Sequence, residues 1–326
     1  MQTGLLKNLR PVTEIIGDSF PVFFKNIVNL FWFQLIYVAA AVACMAPGWI
    51  YMMLKMAPLF KMPKDLPPEA AQQLAAQVFT SVFSDLRMWL ILLIGMVILT
   101  IAAVWRMAAV SVYLEGQLLG KPLGIKESFK KSYGVVVPFI FTAFLTVLAV
   151  YAVPLILGAV SALAFFANKT GLGVLGYLGV FVAMIAAWFV FMAILPLAQV
   201  IALKGKYYLD AVKYSWRLVR GGYWPAVGFF LLIIAIMMGL LMVAMAAQWI
   251  VYFIGLIISV IASLVPFLGI AVMVITTIAS MLIQMLPQAY MDVPLVMYYV
   301  NREAVKGDGE GRVAQAAKTI PSSPSV

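Results

Sequence analysis

The stretch "IKESFKKSYGVVVP" (residues 125–138) decides the fold, because "VKYSWRLVRGGYWP" (residues 212–225) repeats its pattern 87 positions later. Both stretches contain Ser, an aromatic residue and a basic residue in succession, and then Gly and Pro at the same spacing. A fainter copy, "IIGDSFPVFFKN" (residues 15–26), lies near the start of the chain. An internal repeat indicates that the fold consists of repeated structural units. We predict that the unit is an amphipathic helix followed by two membrane spans, and that it occurs three times.

The composition is typical of a chain that lies in a membrane. Of the 326 residues, 65% are hydrophobic and 10% are charged, whereas soluble proteins contain about 45–50% apolar and about 25% charged residues. Apolar runs such as residues 88–105 and 229–247 approach the roughly 20 residues that a helix needs to cross a bilayer. No signal peptide is expected, because the first apolar run begins near Ile27, behind a polar and basic lead.

The residue types exclude several classes of chemistry. The chain contains one cysteine, Cys44, and no histidine, which excludes an intrachain disulfide, His-based acid–base catalysis and histidine metal ligands. The sequence has no phosphate-binding loop, metal-spaced cluster or marked nucleophile, so we predict no catalytic residue, no metal and no cofactor. Whether the chain is an enzyme stays open, leaning towards no. The net charge of +10 fits the cytoplasmic loops of a membrane protein, and we expect no nucleic acid.

The apolar pattern predicts an all-α integral membrane protein with six transmembrane helices. The spans cover about residues 27–53, 88–114, 135–166 and 172–203, with the last two inside 223–299. An alternative for the last block is eight spans or a re-entrant hairpin at 247–269. The predicted organisation is a cytoplasmic lead at 1–26 with an amphipathic helix, a membrane domain at 27–303 with an outer loop at 54–87 and inner loops at 115–134 and 204–223, and a disordered tail at 304–326.

The basic residues indicate which side of the membrane each loop occupies. Of the 22 Lys and Arg residues, 16 fall in the lead, the inner loops and the tail, and 5 fall on the other side. Since cytoplasmic loops collect Lys and Arg, we expect both termini in the cytoplasm and the chain in a bacterial inner membrane. In the outer loop, the Pro-Pro-Glu sequence at residues 67–69 predicts a short amphipathic helix with Leu74, Val78 and Val82 on its apolar face.

Two of the repeated helices carry basic residues beside an apolar stripe. The predicted stripe is Ile125, Phe129 and Tyr133 in the second copy, and Tyr208, Val212, Trp216 and Val219 in the third. Such a helix lies in the membrane interface, where its basic side chains meet anionic head groups. The predicted head-group contacts are Lys126, Lys130, Lys131, Lys213, Arg217 and Arg220. The alternative is that these helices only anchor and orient the spans.

The repeated phrases resemble a known family. "GKPLGIKESFKKSYG" and "YYLDAVKYSWRLVRGGYWP", each before a long span, resemble the six-span glycerophosphoryl diester phosphodiesterase membrane domains and the related YciC-like uncharacterised inner-membrane proteins. The resemblance covers roughly residues 10–303 and implies an all-α membrane domain. In fused members the hydrolase is a separate soluble domain, and this chain has no room for one. The diesterase activity is therefore not expected here.

Two charged residues lie inside the predicted spans. Arg106 lies in the second span and Asp292 in the last, and alignment of the even-numbered spans brings their repeat positions within one residue. We therefore predict that both lie at similar depth, face the bundle interior and pair. Ionisable residues at membrane depth often mark function, so these two residues, with Gln199 and Gln288, form the predicted intramembrane polar site. The alternatives are a structural ion pair or side chains that extend towards the interface.

These observations predict a non-enzymatic scaffold or accessory protein that interacts with lipid or with a partner in the bacterial envelope. The alternative is a permease or lipid-translocating transporter with a cavity at the polar site. The expected partners are membrane lipids, mainly anionic ones, and either another membrane protein or a second copy of this chain.

Overall fold

The computed structural model describes residues 10–60, 67–167, 169–262 and 266–306, and these residues form helices without a β-strand. The helices are α1 (Val12–Phe60), α2 (Pro68–Phe83), α3 (Leu86–Leu118), α4 (Ile125–Ser132), α5 (Val136–Phe166), α6 (Thr170–Ala193), α7 (Leu197–Gln199), α8 (Tyr208–Val219), α9 (Tyr223–Ala262) and α10 (Pro266–Lys306). Five helical segments, namely α1, α3, α4 with α5, α6 and α9, are long and apolar enough to cross a membrane. The described part of the chain is therefore that of a helical membrane protein, in keeping with the rule that backbone groups in lipid must be satisfied within the segment.

The predicted amphipathic lead and the predicted first span form one helix instead of two elements. Helix α1 begins at Val12 and passes through Pro21 without ending. Along it, Ile16, Phe23 and Leu30 are buried at intervals of seven residues. Because one apolar stripe packs continuously on the core, tertiary packing holds the two parts in line despite the lost backbone hydrogen bond at the proline.

The predicted fourth span, at 172–203, is broken near its inner end. Helix α6 ends at Ala193, the short α7 follows Pro196, and a π-helical turn (Val200–Lys204) ends at Gly205. Gly205 has a φ of +61°, a left-handed conformation that stops the helix and that glycine adopts without steric cost. The sequence-similar stretch at 292–303 stays within α10, where Glu303 occupies the position that matches Gly205.

The last block of the chain contains two long helices. Helix α9 runs without interruption through residues 247–262, so the alternative of an extra hairpin at 247–269 finds no turn in that part. Helix α10 occupies the position of the predicted sixth span, but it is not among the five segments found long and apolar enough to cross a membrane within the described residues, so the sixth span stays a prediction. Residues 263–265, residues 61–66 of the outer loop and the predicted disordered tail beyond Lys306 lie outside the described residues.

Buried side chains concentrate at the end of the bundle that holds the predicted inner loops. One apolar cluster joins the first turns of α1, the inner half of α3, the start of α9 and the end of α10, with Phe33, Tyr113, Phe229 and Tyr298 fully buried. A second cluster seats α8 through Leu218 against the π-helical turn. Elsewhere, α5, α6 and α9 present large apolar side chains on the outside, as lipid-facing helices do.

The opposite end is closed by the predicted amphipathic helix, which is confirmed as α2. Its residues Val78 and Val82 are buried against Met88 of α3, and Leu74 packs at the edge of this cluster. Asp85 follows the C-cap residue of α2 and is the N-cap residue of α3, so it fixes the connection between α2 and the bundle.

The Asp85 carboxylate is held by three donors. The Tyr51 hydroxyl donates a hydrogen bond to Oδ2 at 2.7 Å, and the Arg87 backbone N–H donates to Oδ1 at 3.0 Å. The Lys55 ammonium lies 3.1 Å from Oδ2. These interactions, led by the Tyr51 hydrogen bond, lower the pKa of Asp85 from 3.8 to about 2.

We expect Asp85→Asn to lower the melting temperature at pH 6. The asparagine side chain has no negative charge, so the variant loses the charged contacts that the carboxylate makes with its three donors. A carboxyl group with a depressed folded-state pKa contributes stability above its ordinary pKa and loses it as the pH falls towards the folded value. The difference between the two proteins should therefore shrink between about pH 4 and about pH 2. Thermal unfolding in detergent at several pH values measures this, with Glu69→Gln, an exposed carboxylate, as control. A difference that stays constant to pH 2 contradicts the assignment.

Candidate functional site

The predicted pair of charged residues is in direct contact. The Arg106 guanidinium of α3 donates a hydrogen bond from Nη1 to Asp292 Oδ2 of α10 at 2.6 Å. The Tyr37 ring of α1 lies 5.8 Å from the guanidinium carbon. The two charged side chains are 16% and 13% exposed, so three helices enclose a largely buried ion pair. Its geometry matches the predicted contact, and its role as a functional site stays a prediction.

The pair lies in the part of α3 that approaches α4. Arg106 is 20 residues beyond Leu86, the first residue of α3, which corresponds to about 30 Å at 1.5 Å per residue. This equals the thickness of the hydrocarbon core. The neighbouring Trp105 donates a hydrogen bond from its indole N–H to the Phe129 carbonyl of α4 at 3.0 Å. The ion pair therefore lies beside α4, the helix that the sequence pattern predicts to be interfacial.

The two glutamines of the predicted site lie in different surroundings. Gln199 is buried in α7, whereas Gln288 is exposed on α10, one turn before Asp292. The cavities described below are lined by other residues. The structure therefore brings together Arg106 and Asp292 and leaves the exposed Gln288 outside the buried pair.

A second buried polar cluster was missed by the sequence reasoning. The Tyr214 hydroxyl of α8 donates a hydrogen bond to Glu303 Oε2 of α10 at 2.6 Å, and the Lys204 ammonium forms an ion pair with Glu303 Oε1. The carboxylate thus joins α8, α10 and the π-helical turn. A signal existed, because the repeat places Lys204 and Arg302 at equivalent inner ends of two spans.

Cations also surround the Tyr214 ring. The Lys206 ammonium lies 4.3 Å from its centroid, and the Arg217 guanidinium carbon lies 4.5 Å from it. Both distances fall within the range of cation–π attraction. Tyr214 therefore links the buried cluster, through its hydroxyl, to the basic surface of α8, through its ring.

The interfacial helix α8 is rotated from its predicted orientation. Its buried face consists of Ala211, Tyr214, Ser215 and Leu218. Of the predicted apolar stripe, Val219 is buried, but Tyr208 and Trp216 are half exposed. The prediction was wrong because it treated the apolar side chains as one face. The structure separates them into a core-facing set and an outward set that is available to lipid.

Helix α4 shows a related difference. Phe129 packs against the rings of Phe33 and Trp105, with centroids 5.2 and 5.3 Å apart. The predicted third stripe residue, Tyr133, lies in a 3-10 turn (Tyr133–Val135) and is 70% exposed. The α-helical spacing ends at Ser132, so Tyr133 does not continue the buried stripe.

The predicted head-group contacts all face outwards. Each of these six basic side chains is exposed, on α4 or on the α8 region: Lys126, Lys130, Lys131, Lys213, Arg217 and Arg220. The residues that hold the two helices to the bundle are different ones. The six basic side chains therefore lie at the surface where head groups would meet them, and Arg217 in addition contacts the Tyr214 ring.

Two cavities meet at the first turn of α8. One is an apolar groove of about 470 Å³ between α5 and α6. The other is a polar pocket of about 540 Å³ lined by Lys206, Lys213 and Arg217. Tyr208 lines both.

We expect Arg106→Ala to cost up to about 3–5 kcal/mol of unfolding free energy, because it leaves the Asp292 carboxylate buried and unpaired. Asp292→Ala should have a comparable effect. The double variant should cost less than the sum of the two single variants, since it removes both charges. Thermal or denaturant unfolding of all four proteins measures this coupling. Equal defects of Arg106→Ala and the double variant, with a harmless Asp292→Ala, would rule out the pairing.

We expect Tyr214→Phe to lower stability by about 1.5–3 kcal/mol, because it removes a hydrogen bond to a charged, buried acceptor. The matched control is Tyr133→Phe, whose ring is mostly exposed and whose hydroxyl should contribute little. Unfolding in detergent compares the two variants. Equal stability of both is the result that contradicts a structural role for the Tyr214–Glu303 contact.

Comparisons with known proteins leave the family of the chain open. Searches against protein-family models, curated proteins and solved structures find no match to this chain. The resemblance to the six-span membrane domains therefore stays a prediction. The features of the chain that bear on its function are the buried ion pairs, the exposed basic side chains of α4 and α8, and the cavities beside α8.

Proposed function

We propose that the chain is a non-enzymatic protein of the bacterial inner membrane, a scaffold or accessory protein that interacts with anionic lipid or with an envelope partner. One observation carries the proposal. The six basic side chains of the two interfacial helices are all exposed, while other faces of the same helices pack on the bundle. Each Lys or Arg near an anionic membrane surface adds about 1 kcal/mol of attraction. These six basic side chains, here called the basic rim, bind anionic lipid or an acidic partner surface.

The interior charges favour a scaffold over a transporter. Arg106 pairs with Asp292, and Lys204 pairs with Glu303. Ionisable residues on a substrate path typically face a water-filled cavity. Lys204 also lines a cavity of about 550 Å³ together with Glu115 and Lys121. The Arg106–Asp292 pair joins α3 to α10, which is the arrangement expected of residues that fix helices relative to one another.

We further propose six spans in three pseudo-repeats, with both termini in the cytoplasm. Supporting evidence comes from Ser19, Ser128 and Ser215, which are equivalent positions in the repeat and are each 0% exposed. A polar residue that is fully buried in all three copies indicates a shared packing role. The orientation is supported by the concentration of Lys and Arg on one side.

A permease is the second candidate, and Gln34 favours it. Gln34 is 1% exposed, and neither its side-chain oxygen nor its nitrogen has a hydrogen-bond partner within the described part of the chain. It lies on α1, three residues before Tyr37, which contacts Arg106. A buried amide without partners is costly, and water or a polar solute would satisfy it.

The lipid interaction is tested by native mass spectrometry of the full chain purified in a mild detergent. We expect the retained lipids to be richer in anionic species than the membrane they came from. Replacing the six exposed basic residues with Gln should lower this enrichment several-fold, because the surface attraction is lost. Arg87→Gln with Lys169→Gln, on the predicted outer side, is the control. Retained lipids with the bulk composition, and no retained protein partner, would contradict the proposal.

The two candidate functions are separated by solute flux. Proteoliposomes loaded with a mixture of small polar solutes should show no protein-dependent uptake or release if the chain is a scaffold. Uptake that depends on the chain and is abolished by Gln34→Leu would instead establish the permease.

A further inference from the structure

The apolar groove beside α5 has the length of an acyl chain in one leaflet. Along α5 it extends from Thr142 to Pro154. This corresponds to about 18 Å at 1.5 Å per residue, against about 15 Å for half of the hydrocarbon core. Small side chains of α6, such as Ala183 and Ala186, leave the space open, and Leu209 and Val212 of α8 close one end.

The polar pocket on the other side of the first turn of α8 is cationic. Its charged lining is Lys206, Lys213, Arg217 and Asp210, so it carries two net positive charges. The Tyr214 ring forms part of its wall and holds Lys206 and Arg217 within 4.5 Å of its centroid. A guanidinium beside an ammonium is a favourable arrangement for a phosphate.

Tyr208 joins the two cavities and is fixed in an unusual conformation. Its φ of +52° lies in the left-handed region, which costs energy for a residue with a side chain. The backbone N–H of Tyr208 donates a hydrogen bond to Thr142 Oγ1 at 2.9 Å. This bond ties the start of α8 to α5, so the mouth of the groove and the cationic pocket keep a fixed relation.

We propose that the groove and the pocket together form a specific site for one anionic phospholipid. One acyl chain occupies the groove between α5 and α6, and the phosphate lies among Lys206, Lys213 and Arg217. The inference deepens the proposed lipid interaction and rests on it. It goes further because it assigns lipid retention to one preformed site, which includes Lys206 and the groove. The proposed function assigns lipid retention to the six exposed basic side chains together.

The experiment uses the full chain in vesicles of equal parts phosphatidylglycerol and phosphatidylcholine with identical acyl chains. After extraction in mild detergent, native mass spectrometry counts the lipids retained per chain. We expect about one tightly held phosphatidylglycerol. Lys206→Ala/Lys213→Ala should weaken its retention about 10- to 30-fold, given the attraction lost per cation. Lys126→Ala/Lys130→Ala, on α4 and outside both cavities, is the charge-matched control and should change little.

The groove is tested separately by filling it. Ala149→Trp places a large ring in the groove, whereas Ala159→Trp makes the same change on α5 outside the lining. We expect loss of the bound lipid only in the first variant. Ala186→Phe fills the groove from α6 and serves if Ala149→Trp does not fold, which thermal unfolding checks. Retention that survives both groove variants overturns the site.

Three further results distinguish the alternatives. Glycerol phosphate has the anionic group but no acyl chains, and at millimolar concentration it should not displace the lipid. Displacement would show that the pocket binds phosphate alone, and this would overturn the two-part site. If the wild-type chain retains no excess anionic lipid, the proposed function fails as well. If it retains anionic lipid that only the α4 variant loses, the proposed function stands and this site fails.

Discussion

The structure depends on one constraint, namely that lipid provides neither hydrogen bonds nor a hydrophobic drive for helices to associate. Backbone groups in the apolar segments can be satisfied only within helices, so the described residues contain no strand. Specific packing must then come from somewhere other than the lipid-facing surfaces. In this chain it comes from the inner end, where the largest apolar cluster brings α1, α3, α9 and α10 together.

The buried charges lie beside these buried apolar clusters. Arg106 and Asp292 join α3 to α10, and Lys204, Glu303 and Tyr214 join α10 to α8 and the π-helical turn. A buried charge without its partner is strongly destabilising, whereas the pair itself adds little net stability. Such pairs are therefore better at specifying which helices meet, and in which register, than at raising overall stability.

The same inner end provides the surface that we connect to function. Helix α8 uses three sides: a core side that includes Leu218, an apolar side with Leu209 towards the groove, and a basic side with Lys213 and Arg217. Because the Tyr214 hydroxyl contacts Glu303 while its ring contacts the basic residues, the lipid-facing surface is physically continuous with the polar cluster inside. Lipid bound at this surface would directly affect the contacts between α8 and the rest of the bundle.

The sequence by itself determined the helical membrane class, five long apolar helices, the helix at Pro68–Phe83 and the contact between Arg106 and Asp292, because these follow from composition, periodicity and the comparison of similar stretches. Only the tertiary structure decided the continuity of α1, the rotation of α8 and the cluster at Glu303. Periodicity shows that a helix has an apolar side, but it does not show which apolar residues face protein and which face lipid. That choice depends on neighbouring helices that are distant in the sequence.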